Sequence, residues 1–244
     1  MLRHLPILCM AAWAMGASVP KPATPVIQGA MPQVDRVPVL VELFTSESCS
    51  VCPAAGNLLE NLEQKQPIPG VEVIGLEMQM DSWSGGGWRD PFALRQMTNR
   101  QNEYVRLFKL DSVYLPQMVI GGQTQVEASD PAQAAEEIAR AARSRRANVE
   151  VAFQSASVAT VKVDGLPSSA RESEVWMAVT ESPAHHTAVV RSLVMLGPAE
   201  PGEPTTYSMH LRFNPRWNRQ DLKYVIFVQE RISRRIWGAT AVTP

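Results

Sequence analysis

Cysteine is scarce in this chain, with three in 244 residues, at Cys9, Cys49 and Cys52. So few sulfurs exclude a scaffold stapled by several disulfides, the usual device of small exported domains that lack core. Neither sign of charge dominates, since 23 Lys and Arg stand against 24 Asp and Glu. That balance leaves no basic field for nucleic acid or another polyanion. A membrane helix needs about 20 apolar residues, and the mostly apolar run from Leu5 to Ala17 falls short of it. No internal repeat links the two halves of the chain.

What is present at the N-terminus reads as an address. Arg3 and His4 form a basic head, Leu5 to Ala17 an apolar stretch, and Gly16, Ala17 and Ser18 a small-residue close. Residues 1–18 are therefore expected to be an export signal, with an uncleaved anchor as the alternative, and the protein to be periplasmic or secreted. Residues 19–38 are rich in proline (Pro20, Pro22, Pro25, Pro32, Pro38) and without period, which predicts a tether. If Cys9 leaves with the signal, Cys49 and Cys52 are the whole cysteine inventory, and no membrane span remains in the mature protein.

The stretch around those two cysteines organises the rest of the chain. Val39 to Phe44 is an apolar strand, Thr45 to Ser48 a polar turn, and Cys49-Ser50-Val51-Cys52-Pro53 delivers two thiols to the start of a helix. Ala55, Leu58, Leu59 and Leu62 recur at helical spacing, and Pro67 and Pro69 stop the helix after Lys65. Thiols in a C-x-x-C pattern at a helix N-terminus can close on each other. The dipole and the unpaired amides there favour a thiolate, lowering a cysteine from about 8.5 to 7 or below. Cys49 is expected to be the exposed attacking thiol and Cys52, one turn in, the buried resolving thiol. A plain structural disulfide or two core cysteines are the bland alternatives.

Val71 to Met78 forms a second apolar strand, completing a strand–helix–strand unit. A polar loop from Asp81 to Asp90 carries Trp83 and Trp88, which could form an apolar lip for substrate or serve as packing anchors. Asp90-Pro91 looks like a helix cap, with Leu94, Met97, Gln101, Tyr104, Val105 and Phe108 along one face. Pro116 to Ile120 and Gln123 to Glu127 then read as a hairpin about Gly121-Gly122. Ser129-Asp130-Pro131 opens a last helix. Glu42 stands alone on an apolar strand and is expected to point toward the C-x-x-C helix, where a buried acid could take the proton of Cys52.

This order of elements resembles the thioredoxin fold. More closely, the chain resembles the bacterial secreted family known as domain of unknown function 1223. The resemblance rests on Val41-Glu42-Leu43-Phe44-Thr45-Ser46, Cys49-Ser50-Val51-Cys52-Pro53, Asp81-x-Trp83, Gly87-Trp88-Arg89-Asp90-Pro91-Phe92 and Tyr114-Leu115-Pro116-Gln117-Met118-Val119. It implies a thioredoxin-like fold and export, but no particular substrate. Thioredoxins carry a buried acid one residue closer to the first cysteine than Glu42. The same fold implies a cis peptide before Pro116, facing the cysteines and leaving free backbone groups for an extended substrate, the alternative being a trans proline that starts an edge strand. Leu115 before it is expected to pack against the Cys49 sulfur. Three positions depart from the family pattern: Gln79 replaces a frequent histidine, Gly121 a common aspartate and Leu115 a threonine.

After Ala147 the period changes to two, with strand-like runs at Val149 to Phe153, Ala159 to Val163, Val175 to Val179, Ala188 to Leu196, Thr206 to Phe213, Tyr224 to Gln229 and Arg235 to Ala241. Short strands between Gly, Pro and Ser signals predict an antiparallel sandwich. The expected fold class is thus α/β, a thioredoxin-like domain over residues 39–147 followed by a smaller antiparallel β-sandwich over 148–244.

The function expected from these residues is thiol–disulfide exchange by Cys49 and Cys52, with Glu42 and Pro116 supporting the chemistry and Trp83, Trp88 and Leu115 meeting the substrate. No cofactor is expected. The partners are a protein or peptide carrying a thiol or disulfide, and a redox partner that recycles the pair. A rival is a periplasmic copper-binding protein or metallochaperone, because two thiols suit Cu(I) and Met78 and Met80 share a strand face. Yet His185 and His186 lie far along the chain and His210 stands alone, so no metal ligand is assigned. A binding module with a structural disulfide is the second rival.

Overall fold

The computed structural model describes residues 36–81, 89–155, 157–211 and 214–243. Strand β1 (Val37–Thr45) runs parallel to β2 (Val71–Gln79), joined by helix α1 (Cys52–Lys65). Helix α2 (Arg95–Phe108) leads to the hairpin β3 (Gln117–Ile120) and β4 (Thr124–Glu127), and β3 pairs antiparallel with β1. Helix α3 (Pro131–Ala142) follows, with Asp130 as its cap accepting from Gln133 N at 3.0 Å. The helix expected to open at Asp90-Pro91 begins only at Arg95, because Asp90 accepts from Phe92 N at 2.7 Å and holds a turn.

The remaining strands are β5 (Asn148–Ser155), β6 (Val158–Asp164), β7 (Ser173–Glu181), β8 (Val189–Ala199), β9 (Thr205–His210), β10 (Leu222–Glu230) and β11 (Ile236–Val242). They do not build a sandwich of their own. Four of them join the first half in one mixed sheet of eight strands, ordered β11-β10-β7-β8-β2-β1-β3-β4, and only β5-β6-β9 form a separate sheet. The junction is β8, which runs parallel to β2 at Glu77↔Val189 and antiparallel to β7. This overturns the expected thioredoxin-like domain followed by a β-sandwich. The protein is mostly β, with three α-helices among the described residues. The physical reason is that β2 offers a free edge and β8 takes it, so the second half extends the first sheet.

The two faces of that sheet are covered differently. On one face α1 and α3 pack Ala55, Leu59, Leu62, Ala134 and Ile138 against Val39, Val41, Leu43 and Val73. On the same side further along, the three-stranded sheet covers β7, β10 and β11 through Val161, Val163, Tyr224 and Ile226. The opposite face holds α2, with Met97 and Tyr104 packed among Leu40, Phe44, Leu76, Phe227 and Ile236. Because one cluster takes residues from β1, β2, β10 and β11, the sheet curls around it. Ile236 N donates to Gly121 O at 2.9 Å, so β11 returns to the turn between β3 and β4.

Candidate functional site

The site begins where β1 ends. Cys49 N donates to Ser46 O and Cys52 N to Cys49 O, both at 3.1 Å, and these two turns wind the chain from the strand into α1. Cys52 is the first residue of α1, Pro53 follows in its first turn, and the cap residue Val51 makes no side-chain cap bond. Cys49 thus precedes the helix instead of opening it, and Cys52 is not a turn inside. The two cysteines are joined as a disulfide, with Cα atoms 5.3 Å apart. Cys49 is 9% exposed and Cys52 3%. The expected order of exposure is kept, but Cys49 is far less open than its place before the helix suggested.

Glu42 is not where it was expected. It alternates with Leu40 and Phe44, which face α2, whereas Val41 and Leu43 face α1. The sheet therefore stands between Glu42 and the C-x-x-C helix. Glu42 is fully buried, takes Arg100 Nε at 2.5 Å on one carboxylate oxygen and accepts from Tyr104 Oη at 2.5 Å on the other. Arg100 also donates to Gln229 Oε1 at 2.9 Å. Burial by itself lowers the Arg100 guanidinium, but the Glu42 charge outweighs it and Arg100 is held raised. Burial pushes the Tyr104 phenol up, and Glu42 adds to that. Glu42 is an anchor for α2, and its expected role as base to Cys52 is corrected.

Leu115-Pro116 is a cis peptide bond. β3 starts at Gln117, opposite Phe44, so Pro116 lies at the edge where β1 delivers the cysteine turn. Leu115 is partly buried against the α2-side cluster. Trp83 and Trp88 lie outside the described residues.

On the other flank of the cysteines the structure assembles a group that the sequence left scattered. A cleft of about 240 Å³ is lined by Cys49, Cys52, Glu47, Glu77, Gln79 and His186, among others. Glu77 and Gln79 share the face of β2 that Val73 presents to α1, since strand residues alternate in direction. His186 comes from the segment entering β8. Its Nδ1 lies 2.8 Å from Glu77 Oε1 and its Nε2 3.2 Å from Glu47 Oε1. Thr187 N donates to the other Glu77 oxygen at 3.3 Å. The hydrogen bond that His186 donates to Glu77 raises its pKa above the ordinary value, against partial burial and with help from the charges of Glu77, Glu47 and Asp90. Phe92 packs edge-on against the ring at 5.2 Å between centroids, and Arg191 lies over Phe92 at 4.8 Å.

Sequence reasoning missed this group for two reasons. Glu77 and Gln79 did carry a signal, as polar residues two apart on an apolar strand whose odd positions face α1. His186 carried none, because it follows Glu77 by more than a hundred residues and reaches it only through the pairing of β8 with β2. Among the described residues, no three His, Cys, Asp or Glu side chains are grouped to hold a metal ion.

Residues 40–229 match the family described as protein of unknown function (DUF1223). The chain belongs to that family. No curated protein matches this DUF1223 member. Among solved structures it is similar to a crystal structure of an Agrobacterium tumefaciens protein, at 21% identity and a TM-score of 0.67, covering 84% of this chain and 93% of that one. At that identity the likeness shows a shared fold. A domain of the outer membrane lipoprotein Omp28 from Porphyromonas gingivalis also matches, at 14% identity and a TM-score of 0.29, over 41% of this chain and 88% of that one. No helix among the described residues of this DUF1223 chain is long and apolar enough to cross a membrane.

Proposed function

We propose that this DUF1223 protein is an exported thiol–disulfide oxidoreductase that works through Cys49 and Cys52. The observation that carries the reading is the linked pair at the N-terminus of α1, opening onto a cleft lined by proton-accepting groups. A disulfide buried among apolar side chains would be inert, whereas one beside a cleft can be reached by a second thiol. The first turn of α1 contains no acidic residue, so its amides and dipole favour a sulfur anion.

In the exchange, a substrate thiolate attacks the Cys49 sulfur and forms a mixed disulfide. The Cys49–Cys52 bond breaks, and Cys52 leaves with the electron pair as a thiolate, which then takes a proton in the cleft. A second substrate thiolate attacks the substrate sulfur of the mixed disulfide and releases Cys49 as a thiolate. The substrate is oxidised by two electrons to its disulfide, and the protein is reduced to the dithiol. A partner disulfide accepts the two electrons, is itself reduced to a dithiol, and so resets the pair. Residues 1–18 serve as the export signal in this reading and lie outside the described residues.

The test of the assignment is limited alkylation of the reduced protein at neutral pH, followed by peptide mapping. Cys49 is expected to label first, because it precedes the helix and is the less covered of the two. Equal labelling, or Cys52 first, would overturn the roles. Tight Cu(I) binding without any exchange would move the same cysteines to metal delivery.

A further inference from the structure

The cleft beside the disulfide carries several carboxylates and no fixed positive charge among its described lining residues. Glu47, Glu60 and Glu77 line it, and among the described residues no lysine or arginine does. A row of carboxylates alone says little, since many surfaces carry one. Gln79 supplies an independent mark. It lines the same cleft, is 1% exposed, and its Nε2 donates to Glu77 Oε1 at 2.6 Å and to Glu47 Oε1 at 3.4 Å. Two carboxylate acceptors fix which end of the amide is the nitrogen. The other end, Oε1, is then an acceptor, and this buried oxygen has no hydrogen-bond partner. Buried acceptors left open are few in native proteins, and this one belongs to a side chain that lines the cleft together with Glu47 and Glu77.

We infer that the cleft is a cation subsite, which reads a positively charged nitrogen carried by the thiol substrate close to its cysteine. The inference rests on the proposed exchange function and names its substrate class. An ammonium or guanidinium supplies the donor that Gln79 Oε1 lacks, and it brings a positive charge to a wall that holds Glu47, Glu60 and Glu77. The nitrogen can come from a lysine or arginine beside a peptide cysteine, or from the amine of a small aminothiol. His186 sets how strongly the subsite pulls. As imidazolium it donates to both Glu77 and Glu47 and neutralises part of their charge, and as neutral imidazole it keeps one N–H bond and leaves their charge uncompensated. The charged groups around it are Glu77 from β2, Glu47 from the turn after β1, Asp90 from the segment before α2, and Arg191 of β8 behind Phe92.

The experiment mixes the oxidised protein, at low ionic strength and pH 8, with a lysine-flanked cysteine peptide, its glutamine and glutamate counterparts, and cysteamine. Each rate of mixed-disulfide formation is divided by the rate of the same thiol with a small neutral disulfide, which removes differences in thiol reactivity. The lysine peptide is expected to react about tenfold faster than the glutamine peptide, a gap worth about 1.4 kcal/mol, with the glutamate peptide slower again. The gap should shrink in Glu47→Gln and in high salt. Cysteamine matching the lysine peptide assigns the subsite to a free amine, and a faster lysine peptide assigns it to a basic side chain. Equal normalised rates for the three peptides would overturn the subsite and leave exchange standing. If no thiol reacts, exchange itself falls, and an unreactive serine analogue of the lysine peptide then decides the subsite. Saturable shifts of the His186 ring signals with that analogue, absent with the glutamine version, support it, and no shift overturns it.

Discussion

Glu42 and Glu77 are both buried acids on neighbouring strands, and the face each one takes decides its work. Glu42 faces α2 and is closed off by Arg100 and Tyr104. Removing its charge leaves the Arg100 guanidinium buried without its counter-ion, which typically costs about 3–5 kcal/mol. Glu42→Gln should therefore lower stability by about that much in chemical denaturation, with the exchange rate unchanged wherever the variant is folded. An undisturbed midpoint would mean the pair is not what holds α2. His186 is expected to make stability depend on pH. Its folded pKa lies above its unfolded value of about 6.5, so the unfolded state loses its proton first as pH rises. The contribution of His186 is fully present below about 6.5 and is lost as pH climbs through the raised folded value. His186→Gln should flatten that limb of a Tm against pH curve, and an unchanged limb would show that another group titrates there.

At the scale of elements, the hairpin between β3 and β4 is a fastener for the far end of the sheet. Gly122 has φ +69°, and a Cβ there would sit 1.8 Å from the Arg234 carbonyl oxygen. Both the backbone conformation and the close approach require glycine. Gly122→Ala should destabilise the protein by more than about 1 kcal/mol, measured by thermal or chemical unfolding, and a neutral result would mean that the two turns can part without harm. The glycine pair was legible in the sequence as a turn, and so were the limits of α1, the capping Asp130 and the seven strands after Ala147. The cis bond before Pro116 was anticipated from the resemblance. What period and caps do not carry is the phase of a strand that is apolar on both faces. Every neighbour of Glu42 is hydrophobic, so nothing local told which side was α1.

At the scale of the molecule, the largest departure from the sequence reading is that strands of both halves share one sheet. A run of alternating residues specifies a strand with one covered face, but not the edge it will pair with, and β8 had β2 available as well as β7. The same pairing carries His186 to the cysteines, so the shared sheet and the unforeseen half of the site have one cause. The site then combines a disulfide from the first half with a histidine from the second, in reach of the same small volume. That combination makes the state of the Cys49–Cys52 pair the quantity to measure. Equilibrating the protein in glutathione or dithiothreitol buffers, trapping free thiols by alkylation and weighing the products gives its reduction potential. A working exchange pair should equilibrate rapidly, at a potential between about −270 and −120 mV. A pair that equilibrates only below about −300 mV, or fails to equilibrate at all, would be a structural disulfide, and would contradict the exchange role proposed for Cys49 and Cys52.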